Sequence, residues 1–163
     1  MKILVVGGGG REHALIMKLA ESSKTEKIFC VPGNGGISRY AECFPNVSAT
    51  DIDAVVDLAK QVQADLVVVA PDDPLVLGMV DALNQQGFKT FGPNKAGAII
   101  EGSKVFSKQL MKKYNIPTAK YEVFSNSKDA IEYIKKEDTY PTVIKADGLA
   151  LGKGVIIAED YAQ

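Results

Sequence analysis

Ile3-Leu4-Val5-Val6 runs unbroken into Gly7-Gly8-Gly9-Gly10, and a helical pattern begins directly after the glycines. An apolar run without alternation reads as a strand buried on both faces, and such strands belong to parallel sheets. The glycines allow a tight turn and leave their N–H groups unblocked. The helix that follows points its positive end at the same place. Strand, glycine turn and helix therefore read as an anion-binding corner at the carboxyl end of a parallel strand, with a tight turn that binds no ligand as the alternative.

The rest of the first half repeats the alternation. Arg11 to Ser22 reads as a helix with Leu15, Leu19 and Ser22 on one face and Ile16 beside them. Lys27-Ile28-Phe29-Cys30-Val31 is a strand stopped by Pro32-Gly33. Thr50 is positioned to cap a helix to about Gln63, with Asp53 three residues on. Asp65 to Ala70 is a strand stopped by Pro71, Leu75 to Gln86 a helix ending at Gly87, and Lys89-Thr90-Phe91 a short strand before Gly92-Pro93. Strands separated by helices require crossovers and a parallel sheet. Residues 1–93 are thus predicted to form an open, doubly wound α/β domain.

The second half has a different pattern. Residues 94–118 read as a helical connection interrupted near Gly102 and ended by Asn115-Ile116-Pro117. Residues 119–163 read as an incomplete α+β subdomain: a strand over Lys120–Phe124, a helix from Ser127 to about Lys136, a strand over Thr142–Lys145, a glycine loop, and a strand over Val155–Ala158. Such a small sheet is marginal alone, so the chain is expected to be the front part of something longer.

Composition narrows the function. Charged residues are 24% of the chain and the net charge is −1, which gives no broad field for nucleic acid or an anionic membrane. No apolar run approaches the roughly 18 residues of a membrane span, and the N-terminus has no signal-peptide pattern. Cys30 and Cys43 lack metal-like spacing and read as buried or free thiols. A soluble cytoplasmic protein is expected.

The two glycine loops exclude familiar nucleotide motifs. A dinucleotide fingerprint starting at Gly7 or Gly8 would need glycine where Glu12 or His13 stands, and the acid expected after the second strand is missing. In Gly148-Leu149-Ala150-Leu151-Gly152-Lys153-Gly154, three residues rather than four separate the first glycines, and Gly154 replaces the Walker hydroxyl. A strand follows this loop where a P-loop feeds a helix. The pattern reads as a mobile hairpin closing over phosphates, or as an ordinary flexible hairpin. Lys145, at the end of an apolar strand, reads either as an anion's partner or as a solvated strand end. His13, the one histidine, makes no metal site alone and is equally a packing residue, and Asp72-Asp73 read either as a metal-binding pair or, more often for such a pair at a helix start, as complements of a helix dipole.

Several segments together resemble the phosphoribosylamine–glycine ligase family of the ATP-grasp superfamily. They are Gly9-Gly10-Arg11-Glu12-His13-Ala14-Leu15, Pro32-Gly33-Asn34, Phe91-Gly92-Pro93, Glu101-Gly102-Ser103-Lys104, Tyr114 to Ala119, and Ile144-Lys145-Ala146-Asp147-Gly148-Leu149-Ala150 with Gly152-Lys153-Gly154. The resemblance implies a pre-ATP-grasp α/β domain followed by the start of an ATP-grasp domain. It implies an ATP-dependent ligase that activates glycine as an acyl phosphate and transfers it to 5-phosphoribosylamine, in de novo purine biosynthesis. By resemblance, Lys104, Lys145, Gly148, Gly152, Lys153 and Gly154 bind ATP. Gly8, Gly9, Gly10, Arg11, Glu12, His13, Pro32, Gly33 and Asn34 face phosphoribosylamine or its product. Magnesium or manganese would be held by residues beyond position 163, no catalytic side chain is assigned within the chain, and a monomer is expected. The family's usual Gly-Pro-Glu-Ala-Pro-Leu is here Ala70-Pro71-Asp72-Asp73-Pro74-Leu75, which leaves the role of Asp72 and Asp73 open.

Two other readings stay open at this point. The chain could be a non-catalytic module that binds a nucleotide or sugar phosphate, or part of another ATP-grasp ligase. On the ligase reading, the 163-residue chain is expected to be inactive by itself.

Overall fold

The structure is a computed structural model and describes residues 1–150 and 153–162; Leu151, Gly152 and Gln163 lie outside the described residues. The chain divides into two compact units, Met1–Ile99 and Ile100–Gln163.

In the first unit, strands β1 (Lys2–Gly7), β2 (Lys27–Pro32), β3 (Glu42–Cys43), β4 (Leu66–Val69) and β5 (Thr90–Phe91) form one sheet in the order β3-β2-β1-β4-β5. Every pairing is parallel. The helices are α1 (Gly10–Ala20), α2 (Ile52–Gln61), α3 (Asp72–Leu77), α4 (Met79–Gln85) and α5 (Lys95–Gly102), and the unit boundary falls within α5. Alternation along β1 separates two cores. Leu4 and Val6 pack with Val55, Leu58, Ala59, Met79 and Leu83 of α2 and α4. Ile3 and Val5 pack with Ile16 of α1 and with Ile37. The sheet is covered on both faces, as a doubly wound sheet must be. Leu4 is fully buried at the centre, where truncation to alanine costs about 2–5 kcal/mol.

Four local expectations are corrected. The short strand β3 was not foreseen. Asp51, not Thr50, caps α2, because its carboxylate reaches the Ala54 amide at 3.1 Å. The helix expected from Leu75 to Gln86 is broken in two by Gly78, whose φ of 101° leaves the helical region. Leu15 of α1 is exposed, and the helix buries Glu12 and Ile16 instead.

The second unit contains α6 (Lys104–Lys113), α7 (Ser127–Glu137) and an antiparallel pair, β6 (Thr142–Lys145) with β7 (Val155–Ala158). Lys145 pairs in register with Val155, so both ends of the glycine loop are anchored on the ribbon. Lys120–Phe124 forms no strand, contrary to its alternating pattern. That segment is tied to α6 by side chains instead: Tyr121 donates to the Lys108 carbonyl at 3.1 Å, and Lys108 donates to the Thr118 hydroxyl at 2.6 Å. Asn126, one residue before the expected Ser127, caps α7. Among the described residues, no helix is long and apolar enough to cross a membrane.

Candidate functional site

The strand order reverses between β1 and β4, and ligands of open α/β sheets bind in the crevice beyond the strand ends at such a point. Three loops of the first unit meet there. Gly7 has a φ of 123°, and a Cβ on it would lie 2.6 Å from the Glu12 side chain and 2.8 Å from Pro71, the residue after β4. A Cβ on Gly8 would lie 2.7 Å from the Gly33 carbonyl. The turn can form only because glycine occupies both positions.

The loop after β2 is stitched onto this turn. Gly33 donates its amide to the Gly7 carbonyl at 3.3 Å, and Asn34 donates its side-chain amide to the Gly8 carbonyl at 2.8 Å. The other end of the same side chain accepts the amides of Gly36 at 2.8 Å and Ile37 at 2.9 Å. Across the reversal point, Arg11 and Asp72 form an exposed ion pair at 3.6 Å. Asp72 and Asp73 occupy the first turn of α3, where they complement its dipole.

Glu12 changes the picture of an empty anion corner. Its carboxylate accepts the Gly9 amide at 2.5 Å, so one of the donors expected to face a ligand is already satisfied by the chain itself. The residue is 3% exposed, and its second oxygen is buried without a partner among the described residues. His13 Nε2 is likewise buried and unpartnered, beside a ring contact with Tyr40 at 5.9 Å. The Gly10 and Arg11 amides belong to the first turn of α1, where no intrahelical partner exists. The corner therefore combines free amides, a cation, an unsatisfied carboxylate oxygen and an imidazole. That set can bind a molecule carrying both an anion and hydrogen-bond donors.

Beneath Gly33 lie the two thiols. Cys30 and Cys43 are register partners on β2 and β3. Cys30 donates to the Gly7 carbonyl at 3.2 Å, and burial, then the neighbouring Cys43 and Glu12, push its thiol up to about 12.

In the second unit, the glycine loop starts on a fixed base. Lys104 donates to the Gly148 carbonyl at 2.6 Å, and the Ala146 amide donates to the Gly154 carbonyl at 2.8 Å. Asp147 accepts from Ser103 Oγ at 3.1 and 3.2 Å and from the Val105 amide at 3.1 Å. Those donors, Val105 first, hold its carboxyl below the usual carboxylate range. Lys145 and Lys153 are exposed. Gly152, also expected here, lies outside the described residues. Reading the sequence missed the Asp147 contacts because their partners lie 42–44 residues away. Among the described residues, no group of three His, Cys, Asp or Glu side chains is placed to hold a metal ion, and Asp147 is already engaged by α6.

An open α/β unit with its crevice at the reversal point, followed by an antiparallel ribbon carrying a lysine-tethered glycine loop, defines the front of an ATP-grasp protein. The family described as "Phosphoribosylglycinamide synthetase, N domain" matches residues 1–101, and its "ATP-grasp (A) domain" matches residues 102–163. The chain belongs to the phosphoribosylglycinamide synthetase family. A protein named phosphoribosylamine–glycine ligase from Clostridium acetobutylicum is 53% identical over 161 residues, covering 99% of this chain and 38% of the relative. One of the same name from Caldanaerobacter subterraneus is 51% identical over the whole chain and 39% of the relative. The crystal structure of the Thermotoga maritima phosphoribosylamine–glycine ligase is similar at a TM-score of 0.73 and 31% identity, over 99% of this chain and 37% of that one. A biotin carboxylase from Campylobacter jejuni shares the fold at a TM-score of 0.76 and 18% identity, over 99% of this chain and 39% of that one. The chain thus spans a little over a third of the length of the relatives it matches.

Proposed function

We propose that this chain is the front of a ligase that joins glycine to 5-phosphoribosylamine at the expense of ATP. The observation that carries the reading is 53% identity, maintained over 99% of the chain, to a protein named for that reaction.

The two units divide the chemistry. A carboxylate is a poor electrophile, so the reaction activates glycine by phosphorylation and protects the acyl phosphate from water until the amine displaces phosphate. In the second unit, Lys104 stands over the base of the glycine loop, where its ammonium exchanges the Gly148 carbonyl for an ATP phosphate. Lys145 and Lys153 flank the same loop with solvated charges, and Gly148 and Gly154, at φ of 91° and 69°, let the loop fold over the nucleotide. In the first unit, the Gly10 and Arg11 amides and the Arg11 guanidinium receive the sugar's phosphate. The unpartnered oxygen of Glu12 accepts from the amine or a ribose hydroxyl. Asn34 holds the wall of that pocket through the Gly8 carbonyl and Gly33 through the Gly7 carbonyl, with Pro32 paired in register to Gly7. The exposed apolar side chains of the β6–β7 ribbon, Val143, Ile144, Val155, Ile156 and Ile157, are surfaces for strands from the part of the relatives that this chain does not cover. The protein is proposed to act as a cytoplasmic monomer.

The test uses the longest open reading frame that contains this sequence. Purified protein is given ATP, magnesium, glycine and freshly made phosphoribosylamine, and ADP is followed. Turnover that requires both glycine and the amine supports the reading. Nucleotide or sugar-phosphate binding with no such turnover overturns it in favour of a binding module. Turnover with a different acid or amine would mark another ligase.

A further inference from the structure

We propose that Asp147 is the positioning residue that holds Lys104 over the glycine loop. This rests on the reading of Lys104 as a nucleotide contact.

Lys104 is the first residue of α6, directly after the cap Ser103. A lysine there hangs from a helix end that would fray freely if nothing outside the helix held it. Asp147 supplies that hold. It lies between the end of β6 and Gly148, the first residue of the loop. Its two oxygens take the Ser103 hydroxyl, at 3.1 and 3.2 Å, and one also takes the Val105 amide at 3.1 Å. Ser103 in turn accepts the Phe106 amide at 3.1 Å, which completes its cap. The residues on either side of Lys104 are therefore bonded to the residue just before Gly148. Its own ammonium lands on the Gly148 carbonyl at 2.6 Å. Two donors on one carboxylate, the Ser103 hydroxyl shared between its oxygens and the Val105 amide, tie the helix start to the loop base. A charged acceptor makes those bonds stronger than neutral ones. A capping carboxylate at the first turn is also favoured by the helix dipole.

Helix start and loop base belong to segments more than 40 residues apart, so no local feature replaces the carboxylate. Removing it frees the first turn of α6 to move relative to the loop. A displacement of about 1 Å at a positioned charge is enough to cost on the order of a hundredfold in function.

The experiment compares wild type, Asp147→Asn and Asp147→Ala in the longest reading frame that contains the chain. ATP binding is read by titration calorimetry and the KM values by turnover. Asp147→Ala is expected to weaken ATP binding about tenfold or more, with the KM for glycine unchanged. Asp147→Asn keeps an acceptor for the Val105 amide and is expected to fall between. A second readout needs no nucleotide. Acetylation of each lysine by a limiting reagent, followed by mass spectrometry, is expected to rise at Lys104 in Asp147→Ala while Lys145 and Lys153 stay as in wild type. Unchanged ATP affinity in both variants overturns the proposal. So does a uniform rise at all three lysines, which reports general unfolding. Wild type that binds no ATP overturns it as well. Wild type that binds ATP but shows no glycine-dependent turnover overturns the ligase reading and leaves this one standing.

Discussion

Asn34 reaches back 26 residues to donate a hydrogen bond to the Gly8 carbonyl at 2.8 Å, while its carbonyl oxygen holds the amides of Gly36 and Ile37. One side chain thereby joins the loops after β1 and β2, two of the three loops that meet at the crevice. Asn34→Asp tests the donor alone. It keeps the acceptor oxygen and puts a second oxygen against the Gly8 carbonyl. Asn34→Ala removes all three bonds. Each is expected to lower unfolding free energy by about 1–2 kcal/mol, measured by urea denaturation. An aspartate variant as stable as wild type would show that the Gly8 bond contributes nothing.

Gly33 combines two constraints that no other residue satisfies. Its φ is +76°, and a Cβ on it would lie 2.5 Å from Cys43 Sγ. Gly33→Ala is expected to destabilise the first unit by about 2–4 kcal/mol, from backbone strain and overpacking together. Adding Cys43→Ala removes the sulfur and is expected to recover part of the loss, leaving the backbone share. A double-mutant cycle reads the coupling. Strictly additive effects would mean that the thiol is not the obstacle.

Much of the first unit could be read from its residues because long apolar runs and glycine stops are local signals. The runs at Ile3–Val6, Ile28–Val31 and Leu66–Val69 all became central strands. Strand β3 escaped because two residues, Glu42 and Cys43, carry no periodicity; their strand exists only through β2 beside them. The break at Gly78 was hidden by an apolar period that continues through it from Leu75 to Leu83. Lys120–Phe124 shows the converse, alternation with no sheet edge to join. The rotation of α1 was misjudged because Leu15 is the more apolar candidate, whereas the Glu12–Gly9 bond turns Glu12 and Ile16 inward. At the candidate sites the glycine turns are local signals, but the contacts of Asp147 and the pairing of Arg11 with Asp72 are long-range and leave no sequence pattern.

Cys30 gives a pH signature. Its thiol, ordinarily at 9.0, is pushed up to about 12 by burial. Between those values the folded protein keeps a proton that the unfolded chain releases. Stability therefore falls as pH rises from about 9 towards 12. Other groups titrate in that range, so the measurement is the difference between wild type and Cys30→Ala. The variant's stability is expected to fall less steeply over the window. Parallel curves would show that Cys30 does not hold its proton. With a thiol reagent at pH 8, the half-buried Cys43 is expected to react first and Cys30 only on unfolding.

Glu12 has two oxygens with different tasks, and they predict different losses. One oxygen accepts the Gly9 amide at 2.5 Å and so caps α1 from inside the helix. Glu12→Ala orphans that amide and empties space beside Gly7, at an expected cost of about 1–3 kcal/mol. Glu12→Gln keeps the shape and the acceptor but gives up the charge, at an expected cost of about 1 kcal/mol or less. The second oxygen, buried and unpartnered, costs folding free energy and is offset only by a donor-bearing ligand. The glutamine variant should therefore lose more in binding than in stability. Titration of ribose 5-phosphate, a stable stand-in for the proposed sugar-phosphate substrate, separates the two effects. Wild type is expected to bind it more tightly than inorganic phosphate, and Glu12→Gln to erase that preference while its urea midpoint moves little. Equal preference in the two proteins would confine Glu12 to capping, and an alanine variant as stable as wild type would remove even that role.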